Sequence, residues 1–131
     1  MITRSEQREE ILILTFEKTF HDESVDEIIT LAKELRGDKI TDYIENGVKG
    51  IFANLSQIDA LIEEQSFSWK LNRIPRVTLC IMRICVYEML FDETVPTGVA
   101  INEAVELCKK YASEEDKKFI NGVLGAISKK I

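Results

Sequence analysis

The stretch VTLCIMRICVYEMLF, Val77–Phe91, decides the fold. Apolar side chains occupy nearly every face of it, so it reads as a helix buried on all sides. Arg83 and Glu88 interrupt it, and it falls short of the roughly 20 residues that a membrane span requires. A helix of this kind has to be wrapped, and the flanking sequence supplies the wrapping.

Toward the N-terminus, Thr3 and Glu6 form a Ser/Thr-x-x-Glu capping box ahead of Ile11, Leu12, Leu14 and Phe16, predicting a first helix to about Phe20. Ser24 and Glu27 repeat the pattern before Ile28, Leu31, Ala32 and Leu35, and Arg36-Gly37 provides a basic last turn and a glycine stop. Ile40, Ile44, Val48, Ile51 and Phe52 form a third stripe. Ser56 opens a fourth helix through Ile58, Leu61 and Ile62. The connection Ser66–Arg73 carries Phe67 and Trp69, which read as aromatics plugging the seam between helical layers, with ligand binding as the alternative. Pro75 suits the first turn of the central helix, where its missing N–H costs nothing.

Beyond Phe91 the Val95-Pro96 pair breaks the chain. Val99, Ala100, Ala104, Val105, Leu107, Cys108 and Tyr111 then build a sixth helix, with Glu106 and Lys110 spaced to pair at i,i+4. Ser113 caps a last helix whose core side is Phe119, Ile120, Val123, Leu124 and Ile127. No stretch combines period-two alternation with a hairpin turn. The expectation is an all-α protein of about seven helices in two packed small bundles, residues 1–66 and 67–131, forming one compact unit.

Charge bears on function. The 131 residues carry a formal charge of −6, which argues against phosphate binding until the distribution is examined. Residues 1–66 hold 7 Lys and Arg against 15 Asp and Glu, whereas residues 67–131 hold 10 against 8, so the second half is mildly basic. Cys80, Cys85 and Cys108 lack Cys-x-x-Cys spacing, which points to neither a disulfide framework nor a zinc site and fits a reducing cytoplasm. The N-terminus lacks a basic segment followed by an apolar one, so no export is expected.

Catalysis has no visible candidate. His21 stands alone in a polar loop, and the sequence has no His-Glu-x-x-His, P-loop, Gly-x-Gly-x-x-Gly or Gly-x-Ser-x-Gly. Glu114, Glu115 and Asp116 sit together, but acids in a first helical turn complement the helix dipole, which is a simpler account than a divalent cation. Neither a metal nor another cofactor is expected.

Several ordered motifs of the second half carry a resemblance. They are Trp69-Lys70-Leu71-Asn72-Arg73-Ile74, Met82-Arg83-Ile84-Cys85-Val86-Tyr87-Glu88-Met89, Val95-Pro96, the run from Val99 to Tyr111, and the run from Lys118 to Gly125. The first half adds Thr3-Arg4 and Arg8-Glu9. On these residues the chain resembles the NusB family of transcription antitermination factors. The resemblance implies a pair of helical bundles that bind a boxA-like single-stranded RNA together with a NusE-type ribosomal protein, within the RNA polymerase antitermination complex that serves ribosomal-RNA synthesis. It implies an assembly role and no enzyme activity. Two other readings stay open: a structural interaction domain, including a homodimer, and an accessory domain of a ribosomal-RNA methyltransferase.

Carried over by position, the resemblance makes Arg4 and Arg8 the phosphate contacts, four apart on one helical face. Phe119 is implied to stack on a base or to pack in the core. Asn121 is implied to read a base edge, although close helix packing at Gly122 explains the same pair. Glu115 falls at an acidic position near RNA, where a carboxylate accepts from a base amino group. Arg83, with Tyr87, is a further candidate, against the alternative of a buried arginine paired with Glu88 or Glu103.

Overall fold

A computed structural model describes residues 2–67 and 69–131; Ser68, part of the connection read from the sequence, lies outside them. Among the described residues there are seven α-helices and no strand. They are α1 (Arg4–Lys18), α2 (Val25–Arg36), α3 (Asp42–Ala53), α4 (Leu55–Gln65), α5 (Arg76–Phe91), α6 (Thr97–Tyr111) and α7 (Glu114–Lys130). Single turns of 3-10 helix at Gly37–Lys39 and Leu71–Arg73 join α2 to α3 and lead into α5.

Local chemistry sets most of these boundaries. The Thr3 hydroxyl accepts the Glu6 N–H at 3.1 Å, and the Glu6 carboxylate accepts the Thr3 N–H at 3.0 Å, which completes the capping box of α1. Ser24 caps α2 with its hydroxyl at 3.1 Å from the Glu27 nitrogen. Gly37 ends α2 at φ 57°, a left-handed value that a side chain would disfavour. Ser113 and Asp116 form a second capping box, at the start of α7. Ser56 does not open α4. That helix begins at Leu55 directly after Asn54, whose side-chain amide and backbone N–H both donate to the Gly50 carbonyl at the end of α3.

Helix α5 is the axis. It packs against α1, α3, α4, α6 and α7, and Cys80, Ile81, Met82 and Val86 on it are completely buried. Around it α1, α2 and α3 form one group, while α6 and α7 pack on each other and on α5. Helix α4 packs more extensively on α5 and α7 than on its chain neighbour α3.

Three expectations are corrected. Phe67 and Trp69 plug no seam, since they are 89% and 51% exposed; the short chain between them and α5 is anchored instead by Leu71 and the buried Ile74. Glu106 pairs with Lys109 at 3.2 Å, because Lys110 reaches across to Glu9 on α1. Gly122 makes no close helix packing: it is exposed, and a Cβ added there would meet nothing within 4 Å. Gly122→Ala is therefore expected to stabilise the protein by about 0.5–1 kcal/mol, the helix-propensity difference between the two residues, read as a raised urea midpoint.

Candidate nucleic-acid interface

Arg4 and Arg8 lie on one face of α1, as their spacing requires, but they do different work. Arg4 is exposed, and its guanidinium carbon sits 3.7 Å from the centre of the Tyr43 ring on α3. That cation–π contact holds the charge in place at the surface. Arg8 is only 4% exposed. Its Nε donates to Glu88 Oε1 at 2.7 Å and its Nη2 to Oε2 at 3.0 Å, while Nη1 lies 3.7 Å from Glu103. The expectation of two exposed cations is corrected: Glu88 is itself buried on α5 and requires a counter-charge, which Arg8 supplies as a bidentate pair. Burial works to lower the basicity of the Arg8 guanidinium, but the hydrogen bonds and charge of Glu88 outweigh it and raise it.

Arg83 is also largely buried. It pairs with neither Glu88 nor Glu103, but with Asp59 on α4, at 2.8 Å from Nε and 2.9 Å from Nη2. Two bidentate pairs therefore fasten α1 and α4 to the central helix, through Glu88 and Arg83 respectively.

A second set of contacts ties the start of α1 to the end of α6. Ser5 donates to Glu103, Tyr111 donates its hydroxyl to Glu9 at 2.8 Å, and Lys110 pairs with the same Glu9 carboxylate. Lys110, and then Tyr111, hold that carboxyl below its ordinary range against a smaller opposing effect of burial. Two residues past Tyr111, Ser113 caps α7. Glu115 is exposed in the first turn of α7, Phe119 is partly buried against the core, and Asn121 is exposed. The candidates thus divide. Arg4, Glu115 and Asn121 are open to solvent, Phe119 is half covered, and Arg8 and Arg83 are engaged inside.

Lys110 and Tyr111, which tie the end of α6 to Glu9 on α1, were not among the site residues singled out from the sequence. Their signal was present: a Lys-Lys-Tyr run at a helix C-terminus, where cations also complement the dipole. Nor was Tyr43, which seats Arg4 and whose neighbouring sequence gives no hint of that contact.

Between α1, α3 and α5 lies a cavity of about 260 Å3 beside Arg4, lined among others by Tyr43, Asn46, Gly47, Tyr87 and Phe91. Next to it α3 packs tightly through glycine: a Cβ on Gly47 would come within 2.7 Å of Ile11, and one on Gly50 within 2.3 Å of the Tyr87 ring. No cluster of three metal-ligating side chains occurs among the described residues. The three cysteines are buried, and burial raises each thiol pKa, which disfavours the nucleophilic thiolate. No helix is long and apolar enough to cross a membrane among the described residues.

Comparison with known proteins agrees with this arrangement. The sequence profile of the NusB family matches residues 5–129. The transcription antitermination protein NusB of Agathobacter rectalis is 42% identical over 130 residues, covering 94% of this chain and 97% of that protein. Among solved structures, NusB of T. maritima superposes with a TM-score of 0.86 at 31% identity, covering 98% of this chain and 92% of that one. A chain from a crystal structure of the antitermination factors NusB and NusE in complex with dsRNA gives a TM-score of 0.85 at 27% identity, covering 98% and 97%.

Proposed function

The chain belongs to the NusB family, and on that premise we propose that it is a non-catalytic adaptor of transcription antitermination, holding boxA-type single-stranded RNA jointly with a NusE-type ribosomal protein. The observation that carries this reading is the end-to-end likeness to a chain from a crystal structure of NusB and NusE in complex with dsRNA. The protein acts where transcription does, in the cytoplasm.

The geometry supports a division of labour. Arg4, exposed and held over the Tyr43 ring, contacts phosphate. Phe119 and Asn121 on α7 supply stacking and an edge contact, and Glu115 accepts from a base amino group. Arg8 and Arg83 act as positioning residues that set α1 and α4 on α5. The formal charge of −6 limits what the chain binds alone. The ribosomal-protein partner, basic as RNA-binding partners are, supplies the remaining positive surface, so the pair binds RNA more tightly than either chain.

The test is fluorescence anisotropy of a labelled boxA-like RNA across a salt series, with this chain alone and with the NusE-type partner. Binding is expected to strengthen with the partner and to weaken with salt. Arg4→Ala should lower affinity across RNA sequences and reduce the slope of log affinity against log salt by about 1. Equal affinity with and without the partner, or an unchanged slope in the variant, would remove this division of labour.

A further inference from the structure

We propose that the cavity between α1, α3 and α5 is a stacking pocket for one unstacked base of the bound RNA, with the adjoining phosphate on Arg4. The inference rests on the RNA-binding reading and adds to it a site and a ligand class.

Three observations converge. The first is size: about 260 Å3 is ample for a single planar heterocycle. The second is the lining. Tyr43, Tyr87 and Phe91 place three aromatic rings around the cavity, with Tyr87 and Phe91 centred 5.5 Å apart and tilted by 38°, and Phe91 is 44% exposed. Base–aromatic stacking of this kind is how proteins hold unpaired bases, and it tolerates any base identity. The third is charge. Arg4 forms part of the lining and is stacked on Tyr43, so a cation stands where the sugar–phosphate of an inserted base would leave.

The polar groups of the lining suit a base edge. Asn46 offers both a donor and an acceptor, and Asp92 offers acceptors, of which Oδ1 already takes the Thr94 N–H and hydroxyl. Glu88 also borders the cavity, but Arg8 neutralises it, so the interior does not repel a nucleotide as two free carboxylates would. Such a pocket is mostly apolar with a few convergent polar groups, the usual composition of a small-ligand site.

The test is a cycle between protein and RNA. The full-length chain with its NusE-type partner is titrated with a labelled boxA-like RNA and with a set of the same RNA carrying one abasic position each. Phe91→Ala, at a side chain exposed enough to leave folding intact, is expected to weaken the intact RNA about tenfold. Against the one abasic RNA that lacks the inserted base, the same variant should change affinity less than twofold. Asn46→Ala should show the same single-position dependence with a smaller factor. If Phe91→Ala leaves the intact RNA unaffected, or weakens every abasic RNA equally, the pocket proposal falls while the adaptor reading stands. If the unmodified complex binds none of these RNAs, both fall.

Discussion

Glu88→Ala is expected to cost about 3–5 kcal/mol of folding stability. Glu88 is 3% exposed and Arg8 is 4% exposed, and the two share hydrogen bonds of 2.7 and 3.0 Å. Removing the carboxylate leaves a guanidinium buried with only the more distant Glu103 for company, at 3.7 Å. The cost lies mainly in that stranded charge and only partly in the lost attraction. The double variant Arg8→Met with Glu88→Leu should therefore recover most of the loss, because an apolar pair of similar volume needs no solvation. Urea unfolding of the two variants and the parent decides the matter. A Glu88→Ala protein within 1 kcal/mol of the parent would mean that Arg8 finds solvent without disturbing α1.

The second large effect concerns Gly50. Alanine is the better helix former by about 1 kcal/mol, so a solvent-facing glycine in mid-helix would gain from replacement. Here the new Cβ would stand 2.3, 2.5 and 2.6 Å from Cε1, the hydroxyl oxygen and Cζ of Tyr87. A phenol ring moves as a rigid plate, and overpacking of this kind costs about 1–3 kcal/mol. We expect the steric cost to win, with a net loss of about 1–2 kcal/mol on thermal or urea unfolding. Displacing the Tyr87 ring toward the neighbouring cavity should also weaken RNA binding if a base occupies it. The contrast with Gly122→Ala is the sharper check, since the two substitutions are chemically identical and their predicted signs are opposite. A stabilised Gly50→Ala protein would show that Tyr87 has room to yield.

Much of this fold was legible in the sequence because its signals are local. The capping box at Thr3, the caps at Ser24 and Ser113 and the glycine stop at Gly37 depend on residues within a few positions of one another. The central helix declared itself because apolar residues on every face leave a helix nowhere but the interior. The candidate interface was legible only in part. Spacing placed Arg4 and Arg8 on one face, but what turns one outward and the other inward is a carboxylate 80 positions further along. The pairing of Arg83 with Asp59, rather than with the acids nearer in the reading, was hidden for the same reason: several carboxylates were available and only packing chooses among them. Phe67 and Trp69 misled because large aromatics usually signal burial, whereas here Leu71 and Ile74 already close that part of the core. The cavity, which forms only where α1, α3 and α5 meet, left no local signal in the sequence.

The distance along the chain between Arg8 and Glu88 also governs how the protein is made. A polypeptide emerges from the ribosome N-terminus first, at about 5–20 residues per second, so roughly 4–16 s separate the appearance of Arg8 from that of its counter-ion. Throughout that interval Ile11, Leu12 and Leu14 have no central helix to cover them. The first helix synthesised can meet α2 and α3 early, but its seat is complete only once the second half of the chain has emerged.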